Sequence, residues 1–266
     1  MSTATHPMRD SATMLRRRLL HMLRYPSLTL TLAGMPIVFL LLFVYVFGGT
    51  LGDGLGGLAG GRTAYLEYLT PGILLLTVAS GAIGAAITVA MDMTEGIVAR
   101  FRTMAIARVS VLTGHVAGNV IQSLLSVAVV TAVAMAIGFR SNATPVEWLA
   151  AVGLLALVTF ALTWLSVALG MVADNVETAS NLPQPLVFLP FLGSGFVPTD
   201  SLPVGLRWFA EYQPFTPIIE TLRGLLLGTA IGNDAAVALA WCAGIALVSY
   251  LWARRLYNRD PAQPAR

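Results

Sequence analysis

Lysine is absent from the 266 residues, so all sixteen basic side chains are arginine, and charged residues make up only 11% of the chain. A soluble domain is usually about a quarter charged. With 56% hydrophobic residues and a mean hydropathy of +0.77, a water-soluble globule is excluded. Disorder is excluded too, because it requires high charge and few apolar groups. Without lysine there is no phosphate-loop lysine and no Schiff base. The single cysteine, Cys242, lies in an apolar run. It can form no intrachain disulfide and reads as a small packing residue.

Further absences narrow the chemistry. His6, His21 and His115 are scattered, and no G-x-x-x-x-G-K-[ST], H-E-x-x-H, C-x-x-C or G-x-S-x-G pattern occurs. The chain is therefore expected to be no enzyme, to hold no metal or cofactor, and to hydrolyse no ATP itself. Its acids fall in loops or at the ends of apolar runs, which leaves no buried carboxylate for a coupling ion and argues against an ion-driven carrier. No selectivity-filter sequence suggests a channel. If the protein moves something, the energy must come from a partner. The arginines flank apolar runs and form no stripe, which argues against nucleic acid as a partner.

What is present is a series of apolar runs of membrane length, about 20 residues each. They predict an all-α polytopic membrane protein with six spans, at about 28–47, 70–90, 111–137, 148–172, 178–197 and 235–252. The first run is too long for a cleaved signal core and is read as a retained span. The fifth is irregular, with Pro183, Pro185 and Pro190. A cytoplasmic tail and interfacial helix (1–27) would precede the single membrane domain (28–252), and a cytoplasmic tail (253–266) would follow it. Twelve arginines fall on the side of both termini and four on the other. The positive-inside rule then places both termini in the cytoplasm.

Several segments stand out. In 1–27, Leu15, Leu19, Met22 and Leu23 share one helical face while Arg17, His21 and Arg24 share another, the pattern of a basic helix lying on lipid headgroups. The loop 91–110 carries Ile97, Phe101, Met104 and Ala105 at helical spacing beside Glu95 and Arg102. It reads equally as a ridge gripped by a partner's groove or as an interfacial loop whose arginines only set topology. Residues 48–61 hold eight glycines, which predicts a flexible, solvated outer loop. The formal G-x-G-x-x-G match at 52–57 follows no strand and opens no helix, so it is not a dinucleotide site. Residues 198–233 are too apolar for a solvated loop, yet 218–231 is too short and too charged for a span, so two re-entrant helices are expected. Gly81 with Ala85, and Ala236 with Ala240 and Gly244, form small-residue faces for helix contact. Ser180, Asn181 and Gln184 are costly in lipid and either line a path or join helices.

The stretch 181–228, with Pro183, Pro185, Phe196, Pro198, Leu202-Pro203, Leu206 to Trp208, Gln213-Pro214, Thr216 and Leu222-Arg223 followed by Gly228, resembles the signature region of type-2 ABC exporter permeases. The nearest type is the daunorubicin/doxorubicin-resistance membrane subunit. The Arg100-Phe101-Arg102 segment is also similar to that family's pattern between spans two and three. The glycine-rich first outer loop departs from it.

The resemblance implies a permease of the bacterial inner membrane that exports an amphipathic drug, antibiotic or lipid. It implies two copies of a cytoplasmic ABC ATPase, which binds the ATP and magnesium, and a second permease copy or a sibling. Glu95, Arg100, Phe101 and Arg102 would then transmit ATPase motion. Asn181, Gln184, Phe188 and Phe191 would line the path between subunits. Pro214, Phe215 and Glu220 would belong to an outer gate, and Arg17, His21 and Arg24 would hold the interfacial helix to headgroups. The alternatives are a polysaccharide or glycolipid permease and, from another class, a non-transporting membrane scaffold.

Overall fold

Backbone in lipid must satisfy its own hydrogen bonds, and every regular element among the described residues is helical. The computed structural model describes residues 26–53, 61–94 and 108–258. Helix α1 (Pro26–Leu42) passes through a π-turn (Phe43–Phe47) into α2 (Gly48–Asp53). Then come α3 (Arg62–Thr94), α4 (Arg108–Ala136) and α5 (Pro145–Val172). Two short helices follow, α6 (Val176–Asn181) and α7 (Gln184–Phe188). After a 3-10 turn (Thr199–Ser201) come α8 (Val204–Tyr212), α9 (Phe215–Leu227) and α10 (Asp234–Asn258). Five stretches of the described residues are long and apolar enough to cross a membrane: Thr29–Asp53, Arg62–Thr94, Val116–Ala136, Pro145–Val172 and Asp234–Tyr257.

Helix α3 is the axis of the molecule, packed by α1, α4, α5, α6 and α9, while α10 lies outside against α5 and α9. Its 33 residues span about 50 Å at 1.5 Å each, longer than a hydrocarbon core of about 30 Å. This helix is longer at both ends than the expected 70–90. Glu67 and Asp92 consequently fall inside it, near its ends.

The expected start of the glycine loop is corrected. Residues 48–53 are helical, because glycine lets α2 lie directly on the beginning of α3. A side chain at Gly52 would collide with the backbone of Gly61, and one at Gly48 would press on Arg62. Helix α5 starts three residues earlier than expected, where Thr144 and Glu147 form a capping box around Pro145. Glu147 Oε2 accepts from the Thr144 amide at 2.6 Å, and Thr144 Oγ1 accepts from the Glu147 amide at 3.4 Å.

The small-residue faces divide. Gly81 lies against Ser123 of α4, as helix contact requires. Ala236, Ala240 and Gly244 are exposed, and α10 instead buries Ala238, Cys242, Ser249 and Ala253.

The expected fifth span, 178–197, is not one helix. Asn175 caps α6 by accepting from the Thr178 amide at 2.8 Å. Pro183 has no amide hydrogen with which to continue that ladder. After Phe188 the chain runs as turns. This broken stretch nevertheless climbs along α3. Gly170, at the end of α5, sits on Ala86, whereas Gly195 sits on Gly72, where an added Cβ would come within 2.6 Å of its carbonyl oxygen. Fourteen helical residues separate those two levels, about 21 Å. Helix α9 then packs on the beginning of α3, and α8 packs on α9 and the 3-10 turn. Leu226 accepts from the Ser141 hydroxyl at 2.7 Å and from the Asn142 amide at 3.2 Å. Gly228, at φ 75°, ends α9 in the left-handed conformation that glycine adopts without strain.

Candidate functional site

Unwound backbone at membrane depth is tolerated only where protein or water satisfies it. In the turn-rich stretch 189–197, three carbonyls are met by side chains from three other places in the chain. Gln213 Nε2 donates to Leu189 O at 3.0 Å, Arg223 Nη2 to Ser194 O at 2.8 Å, and the Tyr65 hydroxyl to Phe196 O at 3.2 Å. Gln213 is available because α8 ends there, with Pro214 opening α9 behind it. The Thr216 hydroxyl ties the two helices by donating to Ala210 O at 2.5 Å.

An aromatic cluster completes the support. Phe191 and Phe196 stack with centroids 4.0 Å apart, and Phe43 meets Phe196 edge-on at 5.0 Å. Phe39 meets Phe191 at 5.5 Å. Phe39, Phe43 and Phe47 recur every four residues along α1 and its π-turn, so the first span presents one aromatic face to the broken stretch.

The residues expected to line a path separate in two. Asn181, Gln184 and Phe188 are exposed on α6 and α7, and the two amides have no side-chain partner among the described residues. Phe191 instead belongs to the aromatic cluster on α1. The gate residues divide likewise. Pro214 precedes α9, Phe215 is buried in the main apolar core, and Glu220 pairs with Arg223. Glu95, Arg100, Phe101 and Arg102, and likewise Arg17, His21 and Arg24, lie outside the described residues. Among the described residues, no three His, Cys, Asp or Glu side chains cluster as metal ligands would.

Three residues were given no functional role from sequence: Tyr65, and Gln213 and Arg223, which entered only as part of the signature stretch. The available signal was a charge and an amide inside apolar stretches beside prolines, which in a membrane points to protein-facing polar work. Arg207 of α8 is different. It is exposed and bridges Asp200 and Glu211 at 2.6 and 2.7 Å. The Glu211 hydrogen bond, with help from both carboxylate charges, raises its pKa above the ordinary value.

Comparison with known proteins adds the following. The family model for ABC-2 type transporters matches residues 10–227. The daunorubicin resistance ABC transporter permease protein DrrB1 of Streptomyces coeruleorubidus is 26% identical over 268 residues, covering 98% of this chain and 92% of that protein. A Mycobacterium tuberculosis protein, named Probable doxorubicin resistance ABC transporter permease protein DrrC, is 28% identical over 178 residues, 63% of each chain. Nodulation protein J of Rhizobium leguminosarum bv. trifolii is 28% identical over 227 residues, covering 81% of this chain and 82% of that one.

Proposed function

We propose that this chain, which belongs to the ABC-2 type transporter family, is the membrane-spanning permease subunit of an exporter that moves an amphipathic drug, antibiotic or lipid outward. The observation that carries the path is the pair Asn181 and Gln184. Both are exposed on a segment whose neighbour Phe188 is exposed as well. Unpaired amides facing lipid would be costly. They are accommodated if this face meets a second permease, a copy or a sibling, across a partly wet path. The broken stretch 176–197 then serves as the fifth of six crossings, and α8 and α9 are the re-entrant helices of the outer leaflet. Six crossings put both termini on the same side, and the arginine count supports the cytoplasm of a bacterial cell, under the inner membrane.

The chain carries no nucleotide-binding motif, so the energy comes from a separate ATPase subunit, present in two copies and holding the ATP and magnesium. Contact with it falls to Glu95, Arg100, Phe101 and Arg102. Arg17, His21 and Arg24 rest on headgroups. A drug is favoured over a polysaccharide or glycolipid by the names of two of the relatives, and over a non-transporting scaffold by the exposed amides.

The test is co-expression with a candidate ABC ATPase from the same organism, followed by co-purification and an ATPase assay with daunorubicin as the probe. Stable association with drug-stimulated hydrolysis is expected. An ATPase that neither co-purifies nor responds would overturn the reading.

A further inference from the structure

Arg223 is a charged side chain in a thirteen-residue apolar helix, yet it is only 8% exposed. Its guanidinium is used on several sides. Nη1 pairs with Glu220, one turn earlier on α9. Nη2 donates to Ser194 O at 2.8 Å and to Tyr68 O at 3.2 Å, and the carbon of the group lies 3.9 Å from the centre of the Tyr68 ring. One side chain thereby joins α9, the beginning of α3 and the unwound stretch of the fifth segment. A planar guanidinium fork reaches two carbonyls in fixed geometry while its face stacks on a ring, whereas an ammonium is a point charge with no plane to stack.

The same patch is incompletely satisfied. Arg223 Nε, Ser194 Oγ and Gln213 Oε1 are buried without a partner among the described residues. Buried polar atoms left unmet disfavour the arrangement that leaves them so, and a shifted stretch can recover those bonds.

We propose that Arg223 is a positioning residue for translocation: it clamps the unwound stretch 189–197 onto α3 and α9, and holding that stretch in register sets the rate of the outward step. The proposal rests on the permease reading and adds to it a residue that touches no substrate.

The clamp is read by chemistry at Ser194, whose hydroxyl has no partner to lose. In full-length permease with its ATPase in membrane vesicles, Ser194→Cys should react slowly with N-ethylmaleimide. Adding Arg223→Gln should raise that rate at least tenfold, while buried Cys242 stays unreactive. Arg223→Lys should fall between the two. Daunorubicin transport should lose at least fivefold in maximal rate, with the half-saturating concentration unchanged within twofold. An unchanged Ser194→Cys rate overturns the proposal. So does a rise shared by Cys242, which means general loosening, or an unchanged maximal rate. If Arg223→Gln does not reach the membrane, Arg223→Lys is judged by the same criteria. If the native complex moves no daunorubicin, the drug-export reading fails, and the labelling comparison still decides the clamp.

Discussion

Gly72 follows Pro71 within α3, where a glycine would ordinarily weaken a helix. It is kept there by approach of another backbone, since a Cβ would come within 2.6 Å of Gly195 O and 2.8 Å of its Cα. Backbone cannot step aside as a side-chain tip can, so Gly72→Ala should lower stability by about 1–3 kcal/mol, the usual cost of overpacking. Thermal unfolding of the purified protein in detergent measures this. Gly34→Ala is the control, because nothing lies within 4 Å of its added methyl. It should be neutral or mildly stabilising, by up to about 1 kcal/mol from helix propensity. Equal losses at both positions would mean that the Gly72–Gly195 approach is not what holds the fifth segment in place.

The proposed path runs along the fifth segment. Its two exposed amides sit on helices of six and five residues, interrupted at Pro183. Asn181→Leu and Gln184→Leu should change which substrates are carried, with membrane insertion and assembly intact. The readout is efflux of several drugs beside co-purification of the complex. Loss of assembly would instead make the amides a join between subunits.

A second element, the loop 91–110, is argued from sequence pattern. A desolvated aromatic anchor typically contributes about 2 kcal/mol or more to a contact, while an exposed ion-pair partner contributes about 1 kcal/mol at most. Phe101→Ala should therefore weaken ATPase association or abolish efflux, and Arg102→Ala should do less. Pull-down of the ATPase and drug efflux compare the two. Wild-type behaviour of Phe101→Ala would remove this loop from the coupling role.

At the scale of the whole molecule, the arrangement predicts a topology. On a Cys242→Ser background, cysteines at Ser2, Ala99 and Gln263 should be shielded from an impermeant reagent outside, and one at Gly57 should react. Outside labelling at Ala99 would reverse the orientation.

Five of the six expected spans, legible in the residues, correspond to continuous membrane-length helices, though α3 runs longer at both ends and the expected fifth span is broken. A run of about 20 apolar side chains has one low-energy state in lipid, and that state is local. The break at Pro183 was legible for the same reason, since proline acts within one turn. The partners of the broken stretch were not. Leu189, Ser194 and Phe196 accept from Gln213, Arg223 and Tyr65, which are 24, 29 and 131 residues away in the chain. Periodicity carries no signal of such pairings. The glycines of 48–53 were misread as loop for the same reason: what makes them helical is the packing of Gly52 against Gly61 and of Gly48 against Arg62, a contact between elements. Composition and hydropathy by themselves thus determined that the chain is a helical membrane protein. Only the tertiary structure decided which polar side chains hold the unwound backbone and which amides stay open, because both depend on what packing brings within hydrogen-bonding reach.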